Sequence, residues 1–281
     1  MVKYLILGDG FLGRKLFRSL DNSMISGVRI KSPEDALDEI GKYNPEIVIN
    51  CIGKTGRPNI DWCESHKKET FDSNVAVPAH ILRACHESQK RMIHIGSGCV
   101  YQGDNSGAGF SEKDTPNFSA SYYSQTKIWA ERLLNLDDVL QMRIRMPLDS
   151  VPSPRNLIDK LKGYKKVLVV PNSITVVDDF LRIAKILMDE KSTGIYNIVN
   201  KHPITHDKLL ELYREAGGNV QEYETISASQ LDAMTLARRS NCILSTEKLE
   251  KLDIYVPNSL DSARECLKSY VKNERSIAGI T

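Results

Sequence analysis

Lys3-Tyr4-Leu5-Ile6-Leu7-Gly8-Asp9-Gly10-Phe11-Leu12-Gly13-Arg14-Lys15-Leu16-Phe17 is the stretch whose reading decides the fold. A short apolar run passes through three glycines into a helical pattern, which predicts a strand, a tight turn and a helix start. Gly8, Gly10 and Gly13 allow the turn and let a pyrophosphate approach backbone N–H groups at the positive end of the helix. The motif stands at the first strand–helix turn, where a dinucleotide site of a doubly wound sheet belongs.

The same alternation continues outward from there. A second strand is expected over Met24–Ile30, ending in Val28-Arg29-Ile30-Lys31. A site for NAD usually carries an acid here for the ribose 2′-hydroxyl; the positive charges fit a 2′-phosphate and hence NADP. Ser32-Pro33-Glu34-Asp35 predicts a helix start, with an N-cap, proline at the first helical position and acids in the first turn. Asn44-Pro45 ends that helix. Glu46–Gly53 reads as a buried parallel strand. The long polar connection Lys54–Glu64, which includes Trp62, lies where such folds place ligand contacts. A helix over about Glu69–His86, a strand over Arg91–Ile95 and the turn Gly96-Ser97-Gly98-Cys99-Val100-Tyr101 follow. A free cysteine in such a turn is usually a small apolar filler.

Ser121-Tyr122-Tyr123-Ser124-Gln125-Thr126-Lys127 then opens a helix, so Tyr123 and Lys127, four apart, share one face. A cation beside a phenol favours the phenolate and is expected to lower its pKa from about 10. Tyr123 is thereby a candidate proton donor or acceptor. A strand over Gln141–Met146 closes this half. After Pro147 the alternation weakens: Lys166–Val170 and Gly194–Val199 read as strands flanking a helix over Thr175–Glu190, and Thr205 caps a helix over His206–Ala216. Helical signals near Ser229–Leu236, Thr246–Leu252 and Leu260–Val271 complete a smaller, mostly helical part. The basic patch Arg238-Arg239-Ser240-Asn241, read by itself, is a solvated loop, although such a pair can bind phosphate.

The expected fold class is therefore α/β, a Rossmann-like doubly wound parallel sheet over residues 1–147. A substrate-binding part covers 148–281, with 165–200 returning to the core sheet. The 281 residues suffice for a sizeable core. With 38 Lys+Arg against 36 Asp+Glu the composition predicts no nucleic-acid partner. No apolar run approaches the roughly 20 residues of a membrane span. The first residues run directly into a strand, which predicts no leader and a cytoplasmic protein. The six cysteines show no metal-ligand spacing, so no metal is expected and the thiols are expected reduced.

Several motifs in order, Gly8–Gly13, Ser97 and Tyr123-x-x-x-Lys127, resemble the extended short-chain dehydrogenase/reductase family, in its dTDP-4-dehydrorhamnose reductase branch. Thr55-Gly56-Arg57-Pro58-Asn59-Ile60-Asp61-Trp62-Cys63-Glu64-Ser65-His66-Lys67, Gly98-Cys99, Asp114–Phe118, Arg143–Pro147, Pro154–Asn156, Pro171–Ser173 and Arg239–Asn241 carry the likeness across nearly the whole chain. The resemblance implies a bifunctional 3,5-epimerase/4-keto reductase converting UDP-4-keto-6-deoxy-D-glucose to UDP-L-rhamnose with NADPH. The alternatives are a plain 4-keto reductase acting on dTDP-4-dehydrorhamnose, and a non-catalytic regulatory subunit of the same fold. It further implies that Gly8, Gly10, Phe11, Leu12, Gly13, Arg29, Cys51, Gly53 and Asn74, with Tyr123 and Lys127, contact NADPH. Ser97, Tyr123 and Lys127 would serve the reduction, and Cys99 and Lys160 the epimerisation. Thr55, Arg57, Asn59, Trp62, Asn156, Arg239 and Asn241 would hold the nucleotide sugar, and a homodimer is the expected assembly. Ser97 stands where plant members have threonine, and the loop between Tyr101 and Ser111 is shorter than theirs.

Charge-assisted bonds to phosphate are worth about 1.5–3 kcal/mol each. Arg29 and Lys31 are therefore expected to give NADPH more than about a tenfold advantage in affinity over NADH. Fluorescence titration with both cofactors checks this, and equal affinities would contradict it.

Overall fold

A computed structural model gives the arrangement of residues 1–136 and 138–279. The first half alternates β1 (Tyr4–Leu7), α1 (Phe11–Ser19), β2 (Ser23–Ser26), α2 (Pro33–Tyr43) and β3 (Ile47–Asn50). Short helices α3 (Asp61–Ser65) and α4 (Lys67–Phe71) lead through a π-helical turn, Asp72–Ala76, into α5 (Val77–Glu87), β4 (Arg91–Ser97), α6 (Tyr122–Leu133) and β5 (Leu140–Ile144). The second half holds β6 (Pro147–Leu148), α7 (Leu157–Leu161), β7 (Lys166–Leu168), β8 (Thr175–Val176), α8 (Val177–Asp189), β9 (Gly194–Asn197), α9 (His206–Glu215), β10 (Glu224–Ile226), α10 (Ala228–Asp232), α11 (Glu247–Glu250) and α12 (Ser259–Ile277).

Six parallel strands form one sheet in the order β2-β1-β3-β4-β5-β9. Every residue of β1 and β3 is buried, as central strands covered on both faces require. The chain runs from β1 outward to β2 and then returns to the other side of β1. That reversal leaves a crevice beyond the carboxyl ends of β1 and β3, where such sheets bind ligands. Separate apolar clusters cover the two faces. A third, running from Leu148 to Val271, forms the core of the second half.

Local chemistry explains where the elements differ from expectation. Strand β2 stops at Ser26, because the Ser26 hydroxyl accepts the Val28 N–H at 3.2 Å and turns the chain. Arg29 therefore lies in a loop beyond the strand. Helix α2 begins as expected: Ser32 and Asp35 each accept the other's backbone N–H in a capping box. The helix expected from Glu69 widens by one π turn just before Pro78, which has no N–H to donate and whose ring crowds the preceding turn. Thr175 starts a two-residue strand rather than a helix. Its hydroxyl donates to Ile198 O at 2.7 Å and accepts Arg145 N–H at 2.9 Å. Thr205 precedes α9, but its side chain makes no capping bond. Helices α10 and α11 are shorter than their signals and α12 longer. Within 165–200, Gly194–Asn197 is the sixth strand of the main sheet, whereas Lys166–Leu168 pairs with β10 in a sheet of two.

Arg143 of β5 and Glu131 of α6 form a fork-to-fork ion pair. Nε meets Oε2 at 2.6 Å and Nη2 meets Oε1 at 2.7 Å, with Arg143 1% exposed. Removing one partner of such a pair strands the other charge away from water. Arg143→Met or Glu131→Leu alone is expected to cost about 3–5 kcal/mol. The double replacement is expected to lose less than the sum, measured by urea denaturation.

Candidate active site

The carboxyl ends of the strands deliver the candidate residues to one edge. β1 runs into Gly8, β3 into Cys51, β4 ends at Ser97 and β5 leads to Arg145. The first turn is closed by sterics. A Cβ on Gly13 would stand 1.9 Å from Gly8 O, and Gly8 has φ +107°. A Cβ on Gly10 would meet nothing within 4 Å. Helix α1 therefore opens onto free space, with no side-chain cap and no acid in its first turn. Exposed Arg29 has no carboxylate partner among the described residues. Open N–H groups and a free cation fit an NADP pyrophosphate and 2′-phosphate. Leu12 packs on the core, and Phe11, the first residue of α1, is half-buried.

Further along the same edge, burial drives the Cys51 thiol up to about 12, so this residue is a neutral wall. A Cβ on Gly53 would lie 3.6 Å from Asn74 Oδ1 and 3.9 Å from Lys127 Nζ, which places all three together. The Asn74 amide, turned inward by the π turn, accepts Lys54 N–H at 2.6 Å. It donates to Lys54 O and Thr126 Oγ1, both at 3.0 Å. Asn74 thus clamps the Gly53–Lys54 backbone to α6; its polar atoms all have protein partners.

Helix α6 starts where Ser121 accepts Ser124 N–H and Glu64 accepts Tyr122 N–H at 2.7 Å. Tyr123 and Lys127 lie on its buried face, 7% and 8% exposed. Burial dominates both. The Tyr123 phenol is raised, with nearby Cys99 acting the same way and a hydrogen bond from Ser97 opposing. The sequence-based expectation of a lowered phenol is thus reversed: desolvation outweighs the Ser97 hydrogen bond and the nearby Arg145 charge. Tyr123 stays protonated near neutrality, as a proton donor must. The Lys127 ammonium is lowered by burial to about 8, with Cys99 and Glu131 pulling back. Ser97 Oγ accepts Cys99 N–H at 3.2 Å, and Ser124 Oγ donates to Cys99 O at 2.6 Å. Lys160, on α7, is lowered by burial first and by Arg155 second, with Cys99 acting oppositely. Ser97, Cys99, Tyr123, Lys127 and Lys160 are therefore brought into one cluster.

The expected sugar-nucleotide residues divide into two sets. Thr55 accepts Arg155 Nη1 at 2.7 Å, and Gly56 O accepts the same atom at 2.9 Å. Arg57 is exposed and acts on Arg155, whose guanidinium is lowered first by burial and then by this like charge. Trp62 stacks on His66 at 3.9 Å, with Lys54 Nζ 5.1 Å from its ring centre. Asn59 Oδ1 is taken by Asp61 N–H at 2.8 Å. Three others are fully engaged in the protein. Buried Asn156 ties Asp149 and Val151 backbone groups. Asn241 Oδ1 accepts from Asn172 at 3.1 Å. Arg239 grips Asp61 in a fork, at 2.8 and 3.0 Å, instead of standing free. Sequence reading missed two arginines. Arg155 lies beside Thr55, and Arg145 lies behind Cys99 with Nη1 2.8 Å from Sγ. Each stands in a run that carries the family likeness, but its proximity to the site is set by contacts 46 to 100 residues away.

A parallel sheet with this first turn, and a Tyr–Lys pair on the helix between β4 and β5, defines the extended short-chain dehydrogenase/reductase class. The chain belongs to the RmlD substrate binding domain family, which it matches over residues 2–275. It is 38% identical over 229 residues to the bifunctional dTDP-4-dehydrorhamnose 3,5-epimerase/dTDP-4-dehydrorhamnose reductase of Arabidopsis thaliana, covering 79% of this chain and 76% of that one. It is 37% identical over 262 residues to a trifunctional UDP-glucose 4,6-dehydratase/UDP-4-keto-6-deoxy-D-glucose 3,5-epimerase/UDP-4-keto-L-rhamnose-reductase of the same plant, covering 89% of this chain. The chain spans only 39% of that relative's length. The crystal structure of the UDP-rhamnose synthase of Acanthamoeba polyphaga mimivirus superposes with a TM-score of 0.89 at 30% identity, covering 95% of this chain and 99% of that one. No described helix is long and apolar enough to cross a membrane.

Two glycine substitutions separate the turn from the ligand space. Gly13→Ala forces a clash with backbone and is expected to cost at least about 1–3 kcal/mol of stability. Gly10→Ala is expected to leave the melting temperature within about 2 °C of wild type while weakening NADPH binding about tenfold or more. Calorimetry and cofactor titration on both variants check the contrast.

Proposed function

We propose that this protein is an NADPH-dependent epimerase/reductase of a nucleotide-linked 4-keto-6-deoxy sugar, converting UDP-4-keto-6-deoxy-D-glucose to UDP-L-rhamnose. The observation that carries the reading is the convergence of Ser97, Cys99, Tyr123, Lys127 and Lys160 at one edge of the sheet. Bound NADPH would supply the hydride that reaches C4 of the sugar.

The protein's own groups do the rest. Gly8–Gly13 and Arg29 seat the cofactor phosphates, and Lys127 faces the wall formed by Gly53 and Asn74. Arg57 and Arg155, positive charges with no carboxylate partner among the described residues, suit the sugar's diphosphate. Ser97 and Tyr123 hydrogen-bond O4. A 4-keto group makes the C3 and C5 protons acidic, because the enolate charge rests on O4, where those two donors stabilise it. One of Cys99 and Lys160 removes the proton from carbon on one face, and the other returns a proton on the opposite face, inverting the centre. In the reduction Tyr123 gives its proton to O4 while C4 gains hydride. One pair of oxygen-binding groups thus serves both halves of the reaction. The intact Tyr123–Lys127 pair disfavours a non-catalytic role, and Gly98-Cys99 after Ser97 disfavours a dehydratase, which uses an Asp-Glu pair there.

The experiment is deuterium incorporation at C3 and C5 in D₂O, followed by NMR, with product analysis. Cys99→Ala and Lys160→Ala are each expected to slow exchange by about 10²–10⁴-fold, the usual worth of a positioned acid or base. Slow formation of a D-configured 6-deoxy sugar should remain. Wild-type exchange in both variants leaves a plain 4-keto reductase. Absence of any NADPH oxidation by the wild-type protein removes the enzyme reading.

A further inference from the structure

Among the described residues, Arg145 is a fully buried charge that lacks an opposite one. It is 1% exposed. Its Nη2 donates to Asn172 Oδ1 at 2.6 Å and Ser240 O at 2.5 Å, both neutral acceptors. Its Nη1 donates to Cys99 Sγ at 2.8 Å, and its Nε has no partner. No carboxylate pairs with it among the described residues, in contrast to Arg143, two residues earlier, which holds Glu131 in a fork. A guanidinium kept from water without a counter-ion is strongly destabilising. Such a charge is retained where something anionic forms beside it.

The groups facing Arg145 narrow what that anion is. Tyr123 approaches from α6, His206 from the start of α9, and Cys99 and Cys242 from the segments after β4 and before α11. His206 is lowered by burial to about 4 and is neutral, with its Nε2 against Met146 Sδ. Cys242 is 1% exposed and burial raises its thiol, with Arg145 opposing. Tyr123 is likewise raised. Cys99 alone of these is both in hydrogen-bond contact with the guanidinium and half-open to the candidate site. The backbone is shaped for this contact. A Cβ on Gly98 would fall 2.5 Å from Leu244 Cδ1 and 3.4 Å from Arg145 Cδ, so the glycine lets the arginine lie directly beneath the turn.

We propose that Arg145 is a positioning residue whose charge balances Cys99 in its anionic form, the form that accepts a proton from carbon. This rests on the proposed function for the purpose of the thiol, but not for the pairing itself. In the step concerned, the Cys99 S⁻ lone pair takes the proton, the C–H electron pair passes into the enolate, and the charge leaves Arg145 for the O4 side. Lys160 gives the opposite face its proton, and the Cys99 anion returns when the proton on sulfur passes through solvent to the Lys160 amine.

Two sugar-free measurements test the pairing, so their failure is separate from failure of the enzymatic reading. Iodoacetamide alkylation of Cys99 at neutral pH is followed by peptide mass spectrometry. Arg145→Gln is expected to slow it about tenfold or more, and Arg145→Lys to recover part of the loss. An Arg145→Gln protein that melts near wild type and is alkylated at the wild-type rate overturns the proposal. The second measurement leaves Arg145 in place. Cys99→Asp puts a permanent carboxylate beside it, and Cys99→Asn is the neutral shape-match. Cys99→Asp is expected to melt above Cys99→Asn; the same or a lower melting temperature overturns the proposal.

Discussion

The ion pair between Glu131 and Arg143 fixes the candidate site, because it locks the register of α6 against the sheet. Tyr123, Lys127 and Glu131 follow one another at intervals of four and share the buried face of that helix. Glu131 is held at two points by β5, so the two residues above it are held at defined heights over the carboxyl ends of β4 and β5. Ser124 and Glu64 fasten the other end of the helix, to Cys99 O and Tyr122 N–H. Phenol and ammonium are carried on a rod pinned at both ends, which keeps an acid–base pair in reach of its target at little entropic cost.

Much of this was legible in the chain. Local rules were enough for β1, the Gly8–Gly13 turn and α1, because the strand, turn and helix lie within seventeen residues. The capping box of α2 was equally plain, since Ser32 and Asp35 need only each other. What escaped depends on groups far apart in sequence. Arg145 sits at the end of an ordinary strand, and its acceptors come from Cys99, Asn172 and Ser240. The pairing of Lys166–Leu168 with Glu224–Ile226 joins segments whose local patterns say only "strand". The Tyr123 phenol was misread because a neighbouring cation is visible in sequence and burial is not. Nothing local in the sequence shows that the amides of Asn156 and Asn241 bond to Asp149, Val151 and Asn172.

The positive charges around the site illustrate a division by partner. Arg239, read by itself as part of a solvated loop and given a ligand role only by the family resemblance, is held by both carboxylate oxygens of Asp61, which joins two loops. Arg57, Arg155 and Lys160 have no such carboxylate among the described residues; burial first, and a neighbouring arginine second, lower the last two. A cation already paired holds structure together, and one facing other cations is stabilised by an incoming anion.

Strand β9 has a consequence for how the molecule can move. It is supplied by the second half of the chain, yet it completes the edge of the first half's sheet, hydrogen-bonded along β5 from Leu140 to Arg143. The chain thus leaves the sheet after β5, builds part of the second core, and is stitched back beside the strand it left. Two bodies joined this way are connected by more than one passage of the chain, so any relative motion bends several connections together rather than a single linker. The same stitch makes completion of the sheet a late event in synthesis, because its last strand emerges some fifty residues after its neighbour.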